Sequence, residues 1–208
     1  MLVSDGVAEV LGVLLGDGCV SRYLSQGRAR FAVAFTGSSS EYSYYEDFVK
    51  PTLESSFKVK GYLYLRKDNT TRFHIFAAEL AIQLISLGIP VGKKVDAAIP
   101  PCVIQSGKVI PFIRGIYHAE GSIYRRYSKR YNTHVRVYDN LLTLQIRMKL
   151  RTLMHQINDE LIRLGIVTNR LTERDGVYTL RITRQSMIQK FFEIIKPRFK
   201  TAPRFANL

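Results

Sequence analysis

The spacing of apolar and polar positions along this chain changes in a fixed order, and the order occurs twice. VAEVLGVLLGDGCV at 7–20 is almost continuously apolar up to an acid between two glycines, which predicts a buried helix ending near Gly18. Alternation from Val20 to Ser25, a Gly-containing turn and RFAVAFT at 30–36 predict a β-hairpin. A helical period returns from about Glu41 to Ser55. KVKGYLYLR and TTRFHIF then flank the turn KDNT, and AELAIQLISLGI predicts a closing helix.

The second half repeats the series, with GIYHAEGSIYR at 115–125 answering GVLLGDGCVSR at 12–22 and Glu120 standing where the first copy has Asp17. SIYRRY, THVRVY and LLTLQIR are strand-like, a helix is predicted from about Leu150 to Leu164, and NRLTE and VYTLRIT flank an Asp175–Gly176 turn. A last helix is predicted near Gln185 to Ile195. Each half reads αββαββα, residues 1–88 and 110–208, with 89–109 as a linker marked by Pro90, Pro100 and Pro101. The fold class expected is α+β with pseudo-twofold symmetry and two antiparallel sheets.

Gly12 and Gly16, like Gly115 and Ala119, lie four apart and give each repeated helix a strip of small residues. If the two helices pack on these strips at the centre, Asp17 and Glu120 become neighbours, and Gly18 and Gly121 suit the left-handed position that ends a helix and turns the chain into the next strand. A carboxylate at a helix C-terminus opposes the helix dipole. Asp-Gly and Glu-Gly are ordinary turn dipeptides, but two copies in matched contexts point to chemistry. Paired carboxylates make an oxygen-rich site for a hard cation such as Mg²⁺.

Charge narrows the partner. Lys and Arg number 31 against 17 Asp and Glu, a formal net charge of +14 with no low-complexity tail to hold it. That balance indicates a polyanion, nucleic acid rather than a membrane surface, because the basic residues do not follow one face of a single amphipathic helix. No apolar run approaches the ~18 residues of a membrane span. Asp5 and Glu9 interrupt the N-terminal apolar stretch and no basic start precedes it, so export is not expected and a cytoplasmic location is. Cys19 and Cys102 form neither a disulfide framework nor a zinc pattern. His74, His118, His134 and His155 also lack zinc spacing and are expected on the surface or against nucleic acid. Alternation in the strands places Lys58, Lys60, Tyr62, Tyr64 and Arg66 on one face and Val59, Leu63 and Leu65 on a core face. Arg72 and His74, Arg136 and Tyr138, Gln145 and Arg147, and Thr179, Arg181 and Thr183 form further polar sets. Such faces suit a saddle in the major groove of DNA.

VLGVLLGDG (10–18) and IRGIYHAEG (113–121) resemble the two signature helices of the LAGLIDADG homing endonucleases, in the single-chain, two-motif form found in archaeal introns. Leu15 takes the place of the motif's first acid and Glu120 that of an Asp, so both copies keep the carboxylate the family uses. The resemblance implies a monomer that makes a metal-dependent double-strand break in a long, specific double-stranded DNA site. By the same resemblance Asp17 and Glu120 hold Mg²⁺ or another divalent cation, with backbone carbonyls from Gly16 and Ala119. Lys149 falls where the family places a basic residue beside the cleavage centre, whereas the matching first-half corner carries Gly37 and Ser38. Arg125 and Arg126 are further candidates for charge stabilisation or phosphate contact. Two other functions use the same basic surface: an RNA-binding maturase that assists splicing of its own intron, and a DNA-binding regulator without catalysis.

Overall fold

The computed structural model describes residues 2–125, 129–130, 135–136 and 141–200, the two short pairs as backbone only. Helix α1 (Asp5–Asp17) is capped by Ser4, whose side chain accepts from the Val7 N–H at 3.3 Å. Every residue from Val7 to Leu15 is buried. Its partner is α6 (Val109–Glu120), with Phe112, Ile113, Ile116 and Tyr117 fully buried. The two pack tightly because glycine lines the crossing. A Cβ at Gly115 would strike the carbonyl oxygen of Glu9, one at Gly12 that of Phe112, and one at Gly16 the Cβ of Ala119.

Each central helix runs directly into a strand, α1 into β1 (Gly18–Ser25) and α6 into β5 (Gly121–Arg125), and Gly18 (φ −105°) and Gly121 (φ −87°) are extended rather than left-handed because they are already the first strand residues. β2 (Arg28–Ser38) returns from β1 through Gln26 and Gly27, both at positive φ, as a two-residue hairpin turn matched to strand twist requires. With β3 (Tyr62–Leu65) and β4 (Thr70–Ile75) these strands form an antiparallel sheet in the order β1-β2-β4-β3. The second sheet, β5-β8-β10-β9, uses β8 (Leu142–Met148), β9 (Thr172–Arg174) and β10 (Val177–Ile182). Helices α4 (Ala78–Ser86), α7 (Arg151–Arg163) and α8 (Gln185–Ile195) cover the core face of the sheets, joining α1 and α6 there, and the short α5 (Pro101–Gln105) precedes α6. One core built on Phe35, Phe73, Phe112, Tyr117 and Phe191 runs through both halves. Among the described residues no helix is long and apolar enough to cross a membrane. The expected α+β architecture with two antiparallel sheets is the observed one.

Three further local expectations are corrected. The helix expected from Glu41 to Ser55 is a composite: a 3₁₀ turn at Ser39–Glu41, α2 (Tyr42–Tyr44), a π turn at Tyr45–Val49 and α3 (Lys50–Phe57). Pro51 has no N–H and its ring crowds the carbonyl four residues back, so the ladder widens ahead of it. In the second half β5 pairs directly with β8, and β6 (Lys129–Arg130) with β7 (Val135–Arg136) forms a separate ribbon between them in sequence. The strand expected at 58–66 is confined to Tyr62–Leu65. Lys58 instead ends α3 in the left-handed conformation, Lys60 precedes the strand, and Leu65, expected toward the core, is exposed.

The crossing predicts a mutational effect opposite in sign to helix propensity. Gly115→Ala should favour the isolated helix by about 1 kcal/mol, yet it forces a methyl into the Glu9 carbonyl, and overpacking of this kind costs about 1–3 kcal/mol or more. Thermal unfolding of the variant is expected several degrees below wild type; an unchanged or raised Tm would mean that the helices can part without cost.

Candidate functional site

The close helix crossing brings the two acids together. A Cβ at Gly16 would lie 3.2 Å from the Cγ of Glu120, so the Glu120 side chain rests on the end of α1 beside Asp17. Both carboxylates are half-buried. Burial, then Glu120 and Glu41, push the Asp17 carboxyl up to about 7, and Lys200 and Lys94 oppose the rise. Burial likewise raises Glu120, against the pull of Lys94 and Lys200.

Sequence reasoning missed both of these lysines. Lys94 comes from the linker and donates from Nζ to the carbonyl oxygens of Leu15 (2.9 Å) and Gly16 (2.7 Å), the last turn of α1. Lys200, from the segment after α8, donates to the carbonyl oxygens of His118 and Gly121 at the matching end of α6, and lies 3.4 Å from Glu41 Oε1. Each helix end therefore has an ammonium on the carbonyls that its dipole makes negative. In this arrangement the Gly16 carbonyl, expected toward a metal, faces Lys94. A lone lysine in a linker and another after the last helix carry no spacing signal. Only the fold returns them to the acids.

Register explains the asymmetry between the two corners. Gly18 pairs with Phe35 and Gly121 with Ile146, so Ser38 and Lys149, each three residues further on, are equivalent positions. Lys149 lines a cleft of about 770 Å³ together with Gly16, Lys94 and Glu120. The Ser38 corner holds Glu41 instead, which accepts from the Ser38 N–H at 2.9 Å and sits over Gly37 with Tyr45. Burial, then Asp17 and Glu41, raise the Tyr45 hydroxyl above its usual range.

A buried carboxylate anchors the segment that carries Lys200. Glu9, fully buried in α1, accepts from Tyr44 Oη (3.0 Å), Arg114 Nη1 (3.0 Å) and Arg198 Nε (2.8 Å). His118, expected at the surface, is buried: its Nε2 accepts the Arg198 N–H at 3.1 Å and its ring stacks on Phe199 at 4.5 Å. Burial, then Lys200 and Arg114, hold its pKa down to about 3, so its 3.8 Å approach to Glu9 is a neutral contact.

Most of the other expected residues lie on the free faces of the sheets. Tyr62, Tyr64, Arg66, Arg147 and Arg125 are exposed, Arg125 at the end of β5, and Gln145 and Arg181 are half-buried. Arg72 donates to Thr36 Oγ1 at 2.6 Å, His74 is half-buried, and Thr183 donates to Asn169 Oδ1 at 3.1 Å. Thr179 lies on the same face but is buried. Arg136 belongs to β7 by its backbone, while Arg126, His134 and Tyr138 lie outside the described residues. Among the described residues no three His, Cys, Asp or Glu side chains gather for one ion. The donors that the fold brings together are two carboxylates, which suit a hard cation whose shell is completed by water and phosphate.

A family model described as LAGLIDADG-like domain matches residues 108–196, from the start of α6 to the end of α8. Among solved structures, mesophilic variants of the homing endonuclease I-DmoI match at 20% identity over 93% of this chain and 97% of theirs, with a TM-score of 0.63. I-DmoI in complex with DNA and Mn matches at 20% identity over 94% and 99%, with a TM-score of 0.63. The LAGLIDADG meganuclease I-AabMI bound to uncleaved DNA matches at 13% identity over 92% and 83%, with a TM-score of 0.60. The chain shares their fold through both halves. No curated protein sequence matches it.

The raised Asp17 pKa fixes the sign of a pH effect. A carboxyl that ionises at 3.8 when unfolded and near 7 when folded costs stability increasingly between those values, with the full cost above about pH 7. Asp17→Asn should therefore raise the Tm of the metal-free protein by roughly 10 °C at pH 8 and leave it unchanged near pH 3.5, at about 2–4 °C per kcal/mol for a chain of this size. A gain equal at both pH values would assign it to something other than the charge.

Proposed function

We propose that this chain is a single-chain LAGLIDADG homing endonuclease that cuts both strands of a long, specific duplex DNA site as a monomer. The observation that carries the reading is the pair of half-buried carboxylates, Asp17 and Glu120, held side by side at the ends of two matched helices in a chain of net charge +14. The DNA-bound structures that share the fold support it.

Asp17 and Glu120 would hold the divalent cation, taken here as Mg²⁺, and the strain of two crowded carboxyls whose pKa values both rise is what such an ion relieves. Bound there, it supplies Lewis-acid chemistry to the water and the departing oxygen of the scissile phosphate. The chain's own groups do the rest. Lys94 and Lys200 place positive charge on either side of the acids, so two scissile phosphates can approach a region that would otherwise repel them. Lys149 faces the cleft beside Glu120 and would meet the phosphate of that corner only, since its counterpart Ser38 bears no charge. The two free sheet faces supply base contacts and Arg125 and Arg126 supply phosphate contacts.

Incubation with a duplex target and Mg²⁺ should give double-strand breaks, and the Asp17→Asn/Glu120→Gln double variant should lose cleavage while keeping its fold and its DNA binding. Appreciable cutting by that variant would remove the acids from the metal site. Lys149→Met should slow one strand more than the other, so nicked DNA accumulates; equal slowing of both strands would contradict the asymmetric corner. If about 8 phosphates are neutralised, the affinity should fall with a slope of about −7 per decade of salt, and a slope near zero would exclude phosphate-driven binding.

A further inference from the structure

The two sheets present different chemistry on the faces that the helices leave free. In the first sheet the aligned rows on that face are Cys19, Ala34, His74 and Tyr62, then Thr36, Arg72 and Tyr64. Phe76 follows β4 and lies 5.9 Å from the His74 ring and 6.5 Å from Tyr62, while Tyr64 is 6.0 Å from His74. These rings form one exposed patch: Tyr62 is 67% accessible, Phe76 59% and Tyr64 45%. A contiguous group of exposed large apolar side chains marks a contact surface. On the same face Arg72 is turned onto Thr36, and burial, then Arg72, keep the His74 imidazole below its ordinary pKa.

The equivalent face of the second sheet carries Ser122, Gln145 and Arg181 in one row and Arg147, Thr179 and Thr172 in the next. Tyr124 lies there too, but its hydroxyl donates to Gln145 Oε1 at 3.3 Å. Gln and Arg side chains match the purine edges of the major groove, whereas apolar side chains match the thymine methyl.

We infer that the patch of Tyr62, Tyr64, His74 and Phe76 reads thymine methyl groups in one half of the DNA target, while Gln145, Arg147 and Arg181 read purine edges in the other. This rests on the endonuclease reading above, because β1 and β5 start at the acids and make both faces continuous with the cleavage centre. The rings favour duplex DNA over unpaired bases: they are tilted 34° to 49° to one another and form no coplanar platform on which successive bases could stack.

The test is selection of a randomised duplex library by the wild-type protein and by the Tyr62→Ser/Phe76→Ser variant, without divalent cation. Both residues are exposed, so the variant is expected to keep its Tm. Wild type should enrich T·A pairs in one half-site, and the variant should lose that preference alone. Replacing those thymines by deoxyuridine should weaken wild-type binding roughly fourfold per methyl removed and leave the variant unaffected. Replacing guanine by 7-deazaguanine in the other half should weaken both proteins alike. An enriched site whose patch-dependent half lacks T·A pairs, or does not respond to deoxyuridine, overturns this inference and leaves the endonuclease reading standing. Enrichment of no site overturns both. Variant binding that falls for single-stranded RNA and not for duplex DNA makes the patch a base-stacking surface and overturns the inference.

Discussion

The approach of α1 to α6 sets everything else in this protein. Gly12 and Gly115 let each helix backbone reach the other's carbonyls, and Gly16 meets Ala119 where the helices end. Because each helix passes straight into the first strand of its sheet, this one contact fixes the distance between the acids and the relation of the two sheets. A wider crossing would separate Asp17 from Glu120 and tilt both sheets at once.

Such closeness has an electrostatic cost. Two acids stand at the negative ends of two helices, half-buried, and each is harder to ionise than in water. The chain offsets this with lysines from outside the repeated helices: Lys94 on the last turn of α1, Lys200 on that of α6. Glu9, fully buried, holds Arg114 and Arg198 and so ties the segment carrying Lys200 to the helix pair. A buried carboxylate with three donors is costly to leave unpaired, which makes the placement of that segment specific. Core packing and charge placement thus share one structural element.

Duplication makes the framework symmetric without making the surface so. The register of β1 with β2 matches that of β5 with β8, yet Ser38 stands opposite Lys149 across the pseudo-twofold, and aromatic rings on one sheet stand opposite Gln and Arg on the other. The constraint that keeps the halves alike is burial at the crossing, and it does not extend to residues on the free faces. Those positions are at liberty to diverge.

Periodicity and repetition were legible in the chain itself. The buried helices ending in Asp17-Gly18 and Glu120-Gly121, the order of strands and helices, and the excess of positive charge follow from local spacing and composition, which depend on near neighbours in sequence. The position of Lys149 after its strand was legible for the same reason. Local pattern did not show the π turn ahead of Pro51, the short reach of β3, the burial of His118 and Thr179, or the arrival of Lys94, Lys200 and Glu41 at the acids. These depend on contacts between residues far apart in the chain. A lysine's spacing reads the same whether it is solvated or bonded to a helix end 78 residues away. Only the packed helix pair, which determines where the linker and the last segment return, decides between them.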